Sequence, residues 1–340
     1  MNLNKRIKTV AGAGLTALAI VVAGGGYYYF HVRTDTPDYA IKTVSQSIKD
    51  HDVKEFHRVV NVDSVLDSGY AGFVDGMTSP GIAVSPDAKE AIKNFTELLR
   101  APLMLSLKSA IDSYVKTGDL NAKENIGVME LIERTGLNDI EVRDVKNIQV
   151  SDANENEAFA DLILYQPELG GEFPIQLVLI RGKDNQWQIN RVENFQEYVA
   201  KVAQARRALL DEYLAKVGEI NTRHEATIRE AEKKYTTILT QGSLGQDQTR
   251  TELKNLLNDV FKADWELRKQ ELFALPVPKD ATNLHNLYVK ICDLSIAGAQ
   301  DYAKWMDDKS VTTIKSAEDK IHQAQMLMVE AIALAKRIAS

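Results

Sequence analysis

Cysteine is almost absent from this chain, which has one thiol, Cys292, among 340 residues. A single cysteine cannot form an internal disulfide, so an exported domain of this protein depends on core packing for its stability. A nucleophilic thiol would need exposure and a nearby base. We expect Cys292 instead to be a small buried residue of a helix, because its apolar neighbours at helical spacing are Leu287, Tyr288, Ile291 and Leu294.

An excess of positive charge is also missing. The chain has 41 Lys and Arg against 48 Asp and Glu, which gives a formal net charge of −7. Proteins that bind phosphate backbones carry a basic surface, because neutralising phosphates supplies most of the affinity. The composition therefore predicts that nucleic acid is not a partner.

Motifs that identify common enzyme classes do not occur. The sequence has no glycine-rich phosphate loop, no serine nucleophile elbow and no HExxH zinc motif. Its densest glycines, Gly12, Gly14 and 24–26, lie in an apolar segment near the N-terminus. The sequence therefore predicts neither a cofactor nor a metal, and it favours a protein that is not an enzyme.

Residues 9–30 form one run without a charge, preceded by three basic residues. At about 1.5 Å of rise per residue, these 22 residues make a helix of roughly 33 Å, enough to cross a bilayer. The basic flank predicts that residues 1–8 stay in the cytoplasm and that the bulk of the chain is extracytoplasmic. We expect a single-pass anchor in the cell membrane, followed by a linker at 31–37.

A cleaved signal peptide is the main alternative for this segment. Ala23 and Gly25 are small residues of the kind found at cleavage sites. The apolar run continues through that point into aromatic residues at 27–30, whose rings suit the membrane–water interface. The aromatic residues favour an uncleaved anchor, and a cytoplasmic protein is the third interpretation.

Residues 38–194 change from helical to strand-like periodicity. Helices are predicted at 38–51, at 63–77 and from 87 through 114, and a further short helix is predicted to follow a cap at Asp52. Pro102 should kink or split the last helix. Strands are predicted at 140–150, 157–165, 173–180 and 187–192. Their short connections force antiparallel neighbours, so we expect an α+β domain with helices on an antiparallel meander.

Residues 195–340 contain no further strand pattern. Apolar residues at spacings of three and four predict helices near 198–238, 253–273, 283–307 and 311–338. The first, of about 45 residues, would be roughly 65 Å long. Because the connections are short, we expect consecutive helices to be antiparallel and to form a helical bundle.

The segments Thr36-Pro37-Asp38-Tyr39-Ala40, Ile48-Lys49-Asp50-His51-Asp52 and Val60-Asn61-Val62-Asp63-Ser64-Val65, together with Phe56, resemble an uncharacterised family of bacterial membrane-anchored proteins. A leading helix that ends at Asp50–Asp52, followed by a meander closing on Trp187-Gln188-Ile189-Asn190, resembles the nuclear-transport-factor-2-like superfamily. The second resemblance covers residues 36–195. It implies a cone of curved sheet around helices, often with a pocket at its mouth.

Asp161 is the one candidate catalytic residue. Enzymes of the superfamily that residues 36–195 resemble often use a pocket Asp or His. Alternation along the second predicted strand places Glu157, Phe159 and Asp161 on one face. The alternative is that Asp161 is a charge on the exposed face or pairs with Arg143 or Arg191.

Two groups of polar residues resemble metal sites but lack the required spacing. A metal-binding histidine pair on a helix is four residues apart, whereas His51 and His57 are six apart, near Asp50, Asp52 and Glu55. We expect a helix end and a cap there. Asn61, Asp63, Asp67 and Asp75 lack the spacing and glycine of an EF-hand, so we expect Asp63 to cap a helix.

The last helices offer one further candidate. His224 lies at a seam position of the first long helix, and as a cofactor ligand it would need a partner such as His285 or His322. We expect instead a histidine satisfied within the helices. The stripe formed by 326–328 and Ile332 is predicted to be core.

These features favour a single-pass, extracytoplasmic, non-enzymatic protein that binds an envelope protein, a peptide or another envelope component. The first alternative is a cone-shaped domain that binds a small ligand or acts as an enzyme through Asp161. The second is a structural spacer or oligomer of the cell envelope, based on the long helices. The sequence assigns neither the ligand nor the oligomeric state.

Overall fold

A computed structural model of the protein describes residues 35–79, 86–118, 140–166 and 170–339. The chain divides into two compact units between Ala205 and Arg206, which we call the α+β unit and the helical unit. The expected membrane anchor at 9–30 lies outside the described residues. Within those residues, no helix has both the length and the apolar character needed to cross a bilayer.

The α+β unit has helices first and strands afterwards, as the sequence predicted. Its helices are α1 (Pro37–Lys49), α2 (Val53–Val59), α3 (Val62–Met77) and α4 (Pro86–Thr117). Its strands are β1 (Glu141–Val150), β2 (Glu157–Gln166), β3 (Gly171–Arg181) and β4 (Trp187–Val192). The next helix, α5 (Phe195–Gln241), contributes residues to both units.

The four strands form an antiparallel sheet in the order β1-β2-β3-β4, which confirms the predicted meander. Alternation along β2 and β3 sends one set of side chains to the core, because successive residues of a strand point to opposite faces. The buried cross-strand pairs are Ala158–Leu179, Ala160–Leu177 and Leu162–Ile175. Helix residues complete the same core from the covered face, among them Phe56, Leu66, Leu107, Ile111 and Phe195.

One of the two predicted helix caps is present. Asp52 caps α2, its Oδ1 accepting a 2.9 Å hydrogen bond from a backbone amide of the first turn. Asp63 does not cap α3, because the helix begins one residue earlier, at Val62. Asn61 is the cap, with its Oδ1 3.2 Å from an amide nitrogen, and the Asp63 carboxylate binds Lys108 Nζ at 2.6 Å.

Pro102 does not split α4, which runs through it as one helix. A proline inside a helix removes one hydrogen bond and costs about 3 kcal/mol. After Pro102, α4 buries Leu107, Ile111 and Val115 in the core of the α+β unit. Burial of these side chains offsets the local cost, so packing outweighs the proline.

The helical unit consists of the rest of α5 and the helices after it. These are α6 (Asp247–Leu256), a π-helical turn (Leu257–Lys262), α7 (Ala263–Phe273), a short 3-10 turn (Lys279–Ala281), α8 (Thr282–Asp308) and α9 (Val311–Ala339). The sequence predicted α6 and α7 as part of one regular helix. It did not predict the π-helical turn that joins them.

Contacts between side chains give the direction of each helix in this unit. Consecutive long segments run in opposite directions: α5 against α6–α7, α6–α7 against α8, and α8 against α9. Two residue pairs show this for each helix pair, given in the same order: Arg223–Glu271 with Tyr235–Phe261, Lys254–Asp307 with Lys269–Asp293, and Asp301–Ser316 with Asp308–Thr313.

Two helical glycines provide a test of close packing. A Cβ atom on Gly76 would lie 2.7 Å from Val199 Cβ and 2.8 Å from the Gln196 carbonyl oxygen, whereas one on Gly218 would meet nothing within 4 Å. We predict that Gly76→Ala lowers the free energy of unfolding by about 1–3 kcal/mol through overpacking. Gly218→Ala should raise it by about 0.5–1 kcal/mol, because alanine is the better helix former.

Urea unfolding followed by circular dichroism measures both effects. Helix propensity favours alanine at both positions, so opposite signs isolate the clash at Gly76. A gain in stability for both variants would contradict the close approach of α3 to the start of α5.

Candidate ligand cavity and buried charge cluster

The histidines that resembled metal ligands bind α4 in two separate contacts. His51 Nδ1 lies 2.9 Å from the Val115 carbonyl oxygen, and His57 Nε2 lies 2.7 Å from Asp112 Oδ1. Within the described ranges, no group of three or more His, Cys, Asp or Glu is placed to hold a metal ion. These two histidines therefore attach the segment around α2 to α4.

Asp161 lies on the half-buried face of β2, opposite the core. Its Oδ2 accepts a hydrogen bond of 2.7 Å from Asn147 Nδ2. Neither of its predicted charged partners reaches it: Arg191 binds Glu157 at 2.9 Å, and Arg143 pairs with Glu141 at 2.8 Å. Asn147 sits at a register shift of β1 with φ 53°, an irregularity that the strand pattern does not reveal.

A cavity of about 680 Å³ lies in the helical unit between α5, the α6–α7 segment, α8 and α9. Its lining is mostly apolar and aromatic. Three lining residues are exposed at its opening, namely Glu232, Thr236 and Gln325. Among the lining residues farther inside are Ile228, Leu257, Phe261, Trp265, Ile291 and Met328.

Small side chains on α8 and α9 explain why this space is empty. A Cβ atom on Gly298 would lie 2.7 Å from Ile321 Cδ1, so the two helices approach closely at that point. Ala299 and Ala324, both buried, also line the cavity. Side chains this short do not reach across the cavity to α5. On the α5 side, Tyr235 makes an edge-to-face contact with Phe261.

The π-helical turn forms one wall of the cavity. Leu257 and Phe261 belong to the turn, and Trp265 follows in the first part of α7. A π-helical turn has one more residue per hydrogen-bonded ring than an α-helical turn, and such turns occur often at functional sites. The irregular segment of this helix therefore lines the apolar cavity.

A buried charge cluster joins α5 to α7 beside this cavity. His224 is 3% exposed, and its two ring nitrogens face two carboxylates: Nδ1 lies 2.8 Å from Asp264 Oδ1, and Nε2 lies 3.2 Å from Glu271 Oε2. The imidazole of His224 therefore bridges the two carboxylates. Glu271 also accepts two bonds, of 2.8 and 3.0 Å, from Arg223.

Arg268 extends the cluster toward the cavity. Its Nη2 lies 3.6 Å from Asp264 Oδ2, and its guanidinium lies 4.0 Å from the centre of the Trp265 ring. Arg268 is 3% exposed and Asp264 is 8% exposed. Burial lowers the pKa of Arg268, although the Asp264 carboxylate opposes that shift.

Glu271 is the carboxylate of the cluster whose pKa is clearly shifted. Burial alone would raise this pKa, but hydrogen bonds from His224 and Arg223 outweigh burial and lower it. A carboxylate with a lowered pKa stabilises the fold above its unfolded-state pKa, and that contribution is lost as the pH falls through the folded-state value. Glu271 therefore contributes to the stability of the fold at neutral pH, and acid removes that contribution.

His224 is satisfied within the helices, as expected, but by carboxylates and not by another histidine. His285 lies 3.1 Å from the Tyr213 hydroxyl instead, and burial lowers the pKa of His285 and raises that of Tyr213. His322 is exposed on α9. The sequence offered one signal for the cluster: Asp264 and Arg268 occupy one face of a predicted helix at a spacing of four.

The predicted core stripe of α9 is wrong at two positions. Met326 is 59% exposed and Ile332 is 47% exposed, whereas Leu327 and Met328 pack against the core of the helical unit. The buried positions of α9 are Thr313 and three alanines, Ala317, Ala324 and Ala331. Hydrophobicity alone mispredicted this helix because its contact with α8 requires small residues.

Comparisons with protein-family models, curated proteins and solved structures gave no match for this chain.

Removing one charge from the cluster should destabilise the helical unit. Asp264→Asn leaves Arg268 without its carboxylate and weakens the bond to His224, and breaking a buried ion pair costs about 3 kcal/mol or more. We expect that loss in the free energy of unfolding, measured in urea at neutral pH. Asp259→Asn, an exposed position in the π-helical turn, is the matched control and should change stability by less than about 0.5 kcal/mol.

Cys292 is buried, as predicted, and provides a probe of this unit. Burial raises the pKa of its thiol to about 11, so almost no thiolate forms at pH 8. We predict that a disulfide-exchange reagent labels the folded protein at pH 8 at a rate at least a hundredfold below that of the urea-unfolded chain. Equal labelling rates in the folded and unfolded chain would show that Cys292 is accessible.

Proposed function

We propose that this protein is a non-enzymatic binding protein and that its helical unit takes up a small lipophilic ligand in the cavity beneath α5. The observation that carries the proposal is the cavity itself, of about 680 Å³ with a mainly apolar and aromatic lining. Ligand sites in proteins typically have volumes of about 300–1,000 Å³ and a similar lining with a few polar groups.

The chemistry of the lining supports binding over catalysis. Among the described lining residues, Glu232 is the only Asp, Glu, His, Lys, Arg or Cys. Burial raises the pKa of Tyr235 and Tyr302, so both hydroxyls stay protonated at neutral pH. The cluster around His224 is occupied by its own ion pairs. These groups can orient a ligand at the opening, but they do not include a nucleophile paired with a general base.

The compartment and partner in this proposal come from the sequence. We propose that residues 9–30 anchor the protein in the cell membrane, with a cytoplasmic N-terminus and an extracytoplasmic bulk. The ligand would then be met outside the cytoplasm, and an envelope protein or peptide is the expected macromolecular partner. The α+β unit is proposed to be cone-like and the helical unit to be a bundle. Catalysis at Asp161 and an oligomeric spacer are the alternatives.

Filling the cavity tests the proposal. N-Phenyl-1-naphthylamine, a neutral apolar dye, should become strongly fluorescent with the full-length protein in detergent-free nanodiscs. Ala324→Leu places a larger side chain in the lining and should lower dye affinity at least tenfold. Ala333→Leu, on the exposed side of the same helix, is the matched control and should leave affinity unchanged.

Empty nanodiscs measure the dye that partitions into lipid, and this background is subtracted. Circular dichroism confirms that both variants keep their helices. Equal dye binding by Ala324→Leu and Ala333→Leu, or no binding above the lipid background, would contradict a ligand in this cavity.

A further inference from the structure

We infer that the cavity in the helical unit selects a lipophilic organic cation, such as a quaternary or protonated amine with apolar substituents. This inference rests on the proposed function, because it names the ligand class of the same site. Three features carry it: the charged group at the opening, the aromatic rings in the wall, and the lack of any Lys or Arg among the lining residues that the structure describes.

Glu232 provides the charge at the opening. It is exposed on α5 and lines the cavity, and its carboxylate makes no ion pair with another described residue. Its neighbours on the helix differ in this respect, since Glu230 pairs with Lys233 at 2.7 Å and Glu225 with Arg229 at 3.0 Å. Glu232 is therefore a carboxylate at a cavity mouth with its charge available to a ligand.

Aromatic rings line the space behind this carboxylate. Tyr235, Phe261 and Tyr302 all belong to the lining, and the first two meet edge to face with their centres 6.5 Å apart. The face of an aromatic ring attracts a cation within about 6 Å, and the attraction increases when the site is desolvated. Rings of this kind bind the methyl groups of a quaternary ammonium and its charge together.

Trp265 shows that a ring in this wall already binds a cation. The guanidinium of Arg268 lies 4.0 Å from its centre, and Asp264 balances that charge from within the buried cluster. Arg268 is not part of the lining, so it does not offer its charge to a ligand in the cavity. The rings left for a ligand are those of Tyr235, Phe261 and Tyr302.

An anionic ligand would find no basic side chain in the described part of this lining. Carboxylates and phosphates are bound by Arg and Lys through charge-assisted hydrogen bonds, and neither residue occurs among the described residues of the lining. A negative ligand would also be repelled by Glu232. A second carboxylate, Glu318, acts on the Tyr302 hydroxyl from nearby and adds to the same negative potential.

Three probes of nearly equal shape and different charge test the inference. Phenyltrimethylammonium is the cation, tert-butylbenzene is its neutral isostere with carbon in place of nitrogen, and benzenesulfonate is the anion. Competition with N-phenyl-1-naphthylamine on the full-length protein in nanodiscs gives their relative affinities. We expect the cation to bind at least about fivefold more tightly than the isostere, which corresponds to about 1 kcal/mol, and the anion to bind more weakly than both.

Glu232→Gln should reduce the ratio of cation to isostere affinity toward one and leave the affinity of the isostere unchanged. Glu230→Gln, on the same helix and outside the lining, is the matched control and should keep the ratio. Equal binding of cation and isostere by the unchanged protein would overturn the inference while the proposed function stands. If neither the dye nor any of the three probes binds, the proposed function itself fails.

Discussion

Close packing between α8 and α9 is the constraint on which the helical unit depends. Gly298 lets the helices meet where any Cβ would approach Ile321 within 2.7 Å, and buried alanines line the same face of α9. Short side chains bring two helix backbones together, but they leave space on the side away from the contact. The cavity beneath α5 is therefore a consequence of how α8 and α9 pack.

The buried charge cluster has an energetic cost that apolar packing would avoid. Removing Asp264 and Arg268 from water costs several kcal/mol per ion, and their mutual attraction offsets this only when the geometry is good. Sliding α5 by one turn along α7 would leave these charges buried without partners. The cluster therefore restricts the two helices to one alignment, and that alignment also sets Tyr235 against Phe261 at the cavity.

Much of the fold could be predicted from the sequence because its signals are local. Turn-forming clusters bound the four strands closely enough that the predicted and observed ends differ by at most two residues. Asp52 was identified as a cap by its position before an apolar run. Asn61 was missed as the cap of α3, since it and Asp63 are both good capping residues and only the backbone decides between them.

The candidate site could not be predicted in the same way, because its parts come from four separate helices. His224 and Asp264 are 40 residues apart, and nothing local indicates that they face each other. The cavity exists because the side chains of Ala299 and Ala324 are too short to fill it. A small residue in a helix sequence does not indicate an empty volume beside it. Met326 and Ile332 are apolar but exposed, because the buried face of α9 is formed by smaller residues.

The π-helical turn Leu257–Lys262 has a consequence for how this segment tolerates changes in length. Its wider ring holds one residue more than an α-helical turn, while α6 and α7 on either side both reach α8 through Lys254 and Lys269. A chain shortened by one residue here would continue as an ordinary α-helix with both ends still facing α8. A natural deletion of one residue at this point would alter the wall of the cavity and spare the scaffold around it.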